Sequence, residues 1–175
     1  LAHLLASEYV SYGHIEQQRF NRYFKFTFVR NSWARLVSEY KFKGLHRRMS
    51  FRDFVLNGLL PKSPYTDAYR HIEPQYNFLH DKSGVLLVDF VGKFESLQEG
   101  FDHVCSKINI QESKLPHINS SNNSPTIIEK IKKLWSFKKQ DKPRHYTEYY
   151  DNDTLAIVSD LYAKDIATFG YVFGE

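Results

Sequence analysis

The sequence predicts an α/β fold, and two stretches carry that expectation. Residues 24–29 form an aromatic and β-branched run that suits a buried strand. The chain then crosses a polar turn, Arg30-Asn31-Ser32, and enters a helical pattern at Trp33, Leu36, Val37 and Tyr40. Residues 85–91 repeat the arrangement, with an apolar run broken only by Asp89 that reads as a sheet strand. Gly92-Lys93-Phe94-Glu95 then turns the chain into an amphipathic helix over 97–108.

The first unit places Arg30 where a strand's carboxyl end meets a helix amino terminus. In open α/β sheets ligands bind at that point, and helix-terminal N–H groups there favour anions. Ser38, on the following helix, can turn its hydroxyl to the same mouth. A guanidinium and a hydroxyl converging beside a helix amino end suit a terminal phosphate. An arginine at such a turn is also often a surface residue or a cap partner, and spacing alone leaves both readings open.

At 175 residues the chain has room for one domain with a substantial core. Aromatic content of 16% is high and provides large contact surfaces, most of them for the core. A net charge of +4 suits an anionic ligand but falls short of a dedicated nucleic-acid protein, so no nucleic-acid partner is expected. Cys105 is the only cysteine, which excludes an internal disulfide and a cysteine-based zinc site; it reads as core. No apolar run approaches the ~18 residues of a membrane span, and no signal-peptide pattern is present.

Taken in order, residues 1–12 show a helical stripe ended by Gly13, and 15–23 suit a second short helix. His3 and His14 flank the first helix. Residues 41–48 carry Lys41, Lys43, His46, Arg47 and Arg48, a solvated face or a surface that steers an acidic glycan. Ser50 is placed to cap a helix whose Phe51, Phe54 and Val55 pack inward, and the prolines at 61 and 64 begin a loop. Gln75, after Pro74, reads from the residues alone as a loop amide bonded to backbone. Glu95 reads as structural, bonding loop N–H groups. Residues 113–145 form a polar and then basic insertion within the single domain, with two Asn-x-Ser tripeptides at 119–124, expected unused, and Trp135 and Phe137 among lysines at 130–144. A last amphipathic helix runs from Asp153 to about Phe169 and ends at Gly170; Leu155, Ile157, Val158, Leu161, Tyr162 and Ile166 provide its buried side.

Three motifs resemble the family 2 sulfotransferases. VRNSWARLVSEY is similar to that family's 3′-phosphate segment, with Ser32 where a proline is usual. PQYNFL and VDFVGKFESL resemble a second block, and YTEYYD, LYAKDI and FGYVF a carboxyl-terminal signature of its bacterial-type members. The resemblance implies a P-loop-kinase-like α/β fold, a parallel sheet flanked by helices. It implies transfer of a sulfuryl group from PAPS (3′-phosphoadenosine 5′-phosphosulfate) to a hydroxyl of a carbohydrate acceptor, without a metal. By position Arg30 and Ser38 would hold the 3′-phosphate of PAPS, and Gln75 would face the substrate cleft. His3, in His3-Leu4-Leu5-Ala6, would be the base that takes the acceptor's proton, with His14 in reserve. LPHIN, carrying His117, also matches. Asp165 and the carboxyl-terminal tyrosines read as packing and capping residues.

The family's amino-terminal loop, similar to Pro-Lys-x-Gly-Thr, grips the 5′-phosphosulfate and has no match in these 175 residues. The domain therefore reads as truncated at its amino end. The expectation is that loop and catalytic lysine lie upstream, and that this stretch alone is inactive. A bacterial-type member would be cytoplasmic, whereas a eukaryotic membrane-anchored parent would place the domain in the Golgi lumen. The competing reading is a non-catalytic module that binds polyanions or glycans through the basic aromatic stretch 130–144.

Overall fold

The structure, a computed structural model, describes residues 3–59, 67–111, 114–115 and 144–175. The loop prolines, both Asn-x-Ser tripeptides, His117 and the basic aromatic stretch as far as residue 143 lie outside the described residues. The amino-terminal part comprises α1 (Glu8–Ser11), α2 (Gln17–Arg22), β1 (Phe26–Val29), α3 (Ser32–Phe42), a 3-10 turn at Leu45–Arg47 and α4 (Phe51–Asp53), which runs into a π-turn at Phe54–Gly58. There follow α5 (Asp67–Ile72), α6 (Gln75–Leu79), β2 (Phe90–Lys93), a 3-10 turn at Phe94–Ser96 and α7 (Leu97–Lys107). A 3-10 turn at Tyr146–Tyr149, α8 (Asn152–Leu161) and α9 (Ala163–Phe169) complete the described chain.

β1 and β2 pair in parallel, with Phe26 opposite Phe90 and Val29 opposite Lys93. A parallel pair needs a crossover, and α3 to α6 lie within it. The fold is thus mixed α/β around a small parallel sheet, two-stranded among the described residues. Phe28 stands between β2 and α7, and that position dictates two glycines. A Cβ on Gly92 or on Gly100 would come within 2.6 Å of the Phe28 ring, so only glycine admits the contact.

Helix α3 is the spine of the core. Asn31 caps it, its Oδ1 accepting from the N–H groups of Trp33 and Ala34. Trp33, Leu36, Val37 and Tyr40, at helical spacing, bury one face against Phe51, Phe54, Val55, Val158, Tyr162 and Tyr171. Burying side chains of this size contributes about 1.5–3 kcal/mol each. Ser50 caps α4 as expected, accepting from the Asp53 N–H at 3.0 Å. Cys105 is buried on α7.

Four expectations require correction. The strand read at 85–91 lies later, at Phe90–Lys93. Leu87 N–H donates to Leu79 O and His80 bridges Leu86 antiparallel, which takes the first part of the run out of the sheet. Asp89 then marks the start of pairing, its carboxylate accepting from Lys25 N–H at 2.7 Å and lying 2.8 Å from Lys25 Nζ. Among the described residues the helix read over 1–12 is confined to α1, because Ala6 N–H donates to Phe78 O and Leu5 N–H to the Glu8 carboxylate. The tail helix begins at Asn152 and divides at Tyr162, whose ψ of 22° breaks the ladder while its hydroxyl donates to Ile72 O at 2.7 Å. Its buried side is Thr154, Val158, Tyr162 and Asp165, whereas Ile157 and Leu161 are exposed. Gly170 ends α9 in the left-handed conformation, φ 64°.

Asp165 is fully buried and joins three elements. Its carboxylate accepts from the N–H groups of Gln75 (2.9 Å) and Tyr76 (2.7 Å), which begin α6, and from Ser32 Oγ (3.1 Å) at the start of α3. Replacing it by alanine orphans two buried N–H groups and a hydroxyl. We expect Asp165→Ala to cost about 3–5 kcal/mol, read as a lower urea midpoint at unchanged slope.

Asp151 caps α8 by accepting from Thr154 N–H and pairs with Arg52 at 2.7 Å. The Thr154 N–H first, and then Arg52, push its pKa down to about 2. A depressed folded pKa stabilises above the unfolded carboxylate value of about 3.9 and loses that stabilisation as pH falls towards the folded value. The gap in urea midpoint between the unaltered chain and Asp151→Asn should therefore be full above about pH 4 and close as the pH approaches about 2.

Candidate active site

Strand β1 delivers Arg30 to the amino end of α3, and the surrounding chain fixes its backbone. Gln75 brackets it, with Oε1 accepting from Arg30 N–H at 2.9 Å and Nε2 donating to Arg30 O at 2.8 Å. The next residue is fixed from the other side, Asn31 N–H donating to Glu95 Oε1 at 2.8 Å. Tyr171 OH lies 3.0 Å from the other Glu95 oxygen and 3.1 Å from Val29 O. Burial and the neighbouring Glu95 push the Tyr171 phenol well up, so it stays a neutral donor.

The guanidinium of Arg30 differs from those of Arg35, Arg70 and Arg52. Arg35 donates to the carbonyls of Glu73 and His71, Arg70 reaches Glu8 and Glu73, and Arg52 reaches Asp151 and Asp153. Among the described residues, Arg30 lies over the Phe94 ring at 4.8 Å and makes no ion pair. Burial pushes its pKa down and Glu95 acts in the opposite direction. An arginine keeps its charge under such shifts, so a partly desolvated cation faces outward here.

Two depressions meet at this residue. One, of about 620 Å³, runs along β1 and is walled by His3, Arg30, Ser38, Glu39, His71 and Gln75, among others. The second, of about 520 Å³, lies on the far side of Arg30 and is lined also by Ser38, Lys41, Phe94, Arg144 and His145. Arg30 and Ser38 line both. The structure thus brings together the two residues that the sequence paired.

The other sequence candidates divide. His3 lines the larger cleft, with its ring 4.5 Å from that of His71. His14 is exposed, packs against the Tyr12 ring and lines neither depression. Gln75 borders the cleft, but both of its amide atoms are taken up by the Arg30 backbone. Of the basic cluster at 41–48, Lys41 lines the second depression and Lys43 pairs with Glu39 at 3.2 Å.

Sequence reasoning assigned no role to Arg35, Glu39 or His71. Arg35 sits in the same motif as Arg30 and Ser38, but its partners lie 36 and 38 residues away, so spacing gave no signal of them. Among the described residues no group of three or more His, Cys, Asp or Glu is arranged to hold a metal ion. No helix among them is long and apolar enough to cross a membrane.

A family model described as "Sulfotransferase family" matches residues 5–172. An uncharacterised protein of Archaeoglobus fulgidus is 30% identical over 114 residues, a match spanning 61% of this chain and 85% of that protein. No solved structure matches.

The bracket around Arg30 is testable without a ligand. Gln75→Leu keeps the volume but leaves the Arg30 N–H and C=O unpaired, at a cost of about 2 kcal/mol. The Arg30 amide should then exchange with solvent roughly 30-fold faster by NMR, since ~1.4 kcal/mol is a factor of ten.

Proposed function

The chain belongs to the sulfotransferase family, and on that premise we propose that it transfers the sulfuryl group of PAPS to a hydroxyl of a carbohydrate. The observation that carries this reading is the Arg30 guanidinium, partly desolvated, over an aromatic ring and without an ion pair among the described residues. A cation in that state binds a phosphate strongly, because much of its own desolvation has already been met by folding.

In this reading Arg30 and Ser38 hold the 3′-phosphate of the donor at the junction of the two depressions. Lys41 and Arg144 add positive charge on the second side, and Phe94 offers a ring face. The larger cleft takes the acceptor. His3 stands there to receive the proton of the attacking hydroxyl, and neutral imidazole suits that task near pH 7. Gln75 acts on the substrate through Arg30, by fixing the backbone from which the guanidinium extends. β1 and β2 are two strands of a P-loop-kinase-like sheet. Positioning and charge stabilisation supply most of the rate, as in other in-line group transfers.

Titration with 3′-phosphoadenosine 5′-phosphate tests the donor site. Binding should saturate and weaken about 10- to 100-fold in Arg30→Ala, the loss expected for a charge-assisted pair. Ser38→Ala should weaken it less. Binding indifferent to Arg30 but steeply dependent on salt would instead mark the polyanion-binding module.

A further inference from the structure

The larger cleft contains a hydrogen-bonded carboxylate and imidazole that the reading above leaves without a role. His71 Nδ1 lies 3.1 Å from Glu39 Oε2. Glu39 is on α3, one residue beyond Ser38, and both its side chain and that of His71 line the cleft. The other Glu39 oxygen is buried and makes no hydrogen bond, with Lys43 Nζ 3.2 Å away but out of alignment for one.

The backbone under His71 is held as firmly as its ring. Arg35 Nη2 donates to His71 O and Nη1 to Glu73 O, each at 2.8 Å, which closes the carboxyl end of α5. Arg70 links α5 to the amino-terminal segment through Glu8 at 2.6 Å. That link holds the chain carrying His3 against α5, and the two imidazoles meet at 4.5 Å between centroids with planes at 60°. The charged groups around the pair are Glu39 and Arg35 from α3, Lys43 just beyond it, Arg70 from α5, Glu73 beyond that helix, and Glu8 from α1.

We propose that His71 is a second catalytic residue: it forms with His3 a two-histidine base for the acceptor hydroxyl, and Glu39 is its positioning residue. This assignment rests on the sulfuryl-transfer reading. Glu39 accepts the Nδ1 proton of His71 and so fixes the tautomer whose Nε2 carries the basic lone pair. In the step, the acceptor O–H bond breaks and its proton passes to a ring nitrogen of the pair. The oxygen's electron pair forms the new O–S bond. The S–O bond to the donor's phosphate breaks, and its electrons leave with the phosphate. The carboxylate of Glu39 then faces the imidazolium that results, which lowers the cost of forming it.

The test uses the full-length protein, 3′-phosphoadenosine 5′-phosphate as the binding probe and PAPS as donor, with glycan hydroxyls or water as acceptor. His71→Ala and His3→Ala should each lower kcat about 100-fold while nucleotide affinity stays within about twofold, which also certifies folding. The double variant should fall little further, because groups that act as a unit are not additive. In Glu39→Ala, ¹⁵N NMR should show His71 losing the Nδ1–H tautomer, with kcat reduced. Turnover of His71→Ala within about twofold of the unaltered protein, or a tautomer indifferent to Glu39, would overturn the proposal while nucleotide binding persists. Failure of the unaltered protein to bind the nucleotide would overturn the donor-site reading first and this assignment with it.

Discussion

The architecture turns on a buried carboxylate. Asp165 is fully enclosed, yet it has the N–H groups of Gln75 and Tyr76 and the hydroxyl of Ser32 as donors. A lone carboxylate taken out of water would cost several kcal/mol and would protonate. Three donors from two helix starts meet its hydrogen-bonding capacity, and in exchange they are fixed relative to each other. α6 has no side-chain cap of its own, and Asp165 provides one from ninety residues away. That contact aims the Gln75 side chain, Gln75 brackets Arg30, and Arg30 is the cation proposed to read the phosphate. The chain of cause therefore runs from the tail helix to the proposed anion site.

One helix serves both core and site. The face of α3 bearing Trp33, Leu36, Val37 and Tyr40 is buried, and the opposite side presents Arg35, Ser38 and Glu39 to the cleft. A helical period of 3.6 residues makes that division automatic. It also makes the site rigid, because any rotation of α3 that moved Ser38 or Glu39 would break the aromatic packing of Tyr40 against Phe51 and Phe54. Catalytic geometry needs such stiffness, since small misplacements of a reacting group are costly in rate.

What the sequence made legible follows from how local each determinant is. That Arg30 and Ser38 border the same depressions is readable because both lie on one strand-turn-helix unit whose period sets their facing. Glu95 is readable as a structural partner of loop N–H groups and Asp165 as a packing and capping residue, whereas the particular donors, Asn31 for one and Gln75 and Tyr76 for the other, are not. The strand placed at 85–91 was misjudged because a short apolar run is equally satisfied by packing on the core without a ladder, and only Lys25, far off in sequence, decides where pairing begins. The break at Tyr162 was hidden for a similar reason. Its side chain continues the helical stripe, and the force that interrupts the helix is a hydroxyl reaching Ile72 O. The partner of the Gln75 amide, the Arg30 backbone, lies 45 residues away and leaves no trace in the neighbouring sequence.

The electrostatics near Arg30 explain why its guanidinium still faces outward when a carboxylate lies so close. Glu95 raises the arginine's proton affinity against the effect of burial, so it is near enough to interact. One of its oxygens accepts from Asn31 N–H and the other lies 3.0 Å from Tyr171 OH. Those two bonds orient the carboxylate towards the loop backbone, while the guanidinium lies against Phe94 instead. A direct Arg30–Glu95 ion pair would have to be broken before any anion could bind, with a cost comparable to the affinity gained. Keeping the two charges adjacent but unbonded avoids that. The carboxylate stabilises the cation through space, and the guanidinium stays out of an ion pair on a residue that lines both clefts. In the proposed reading that arrangement lets an anion bind with little reorganisation, and reorganisation is where most affinity at charged sites is lost.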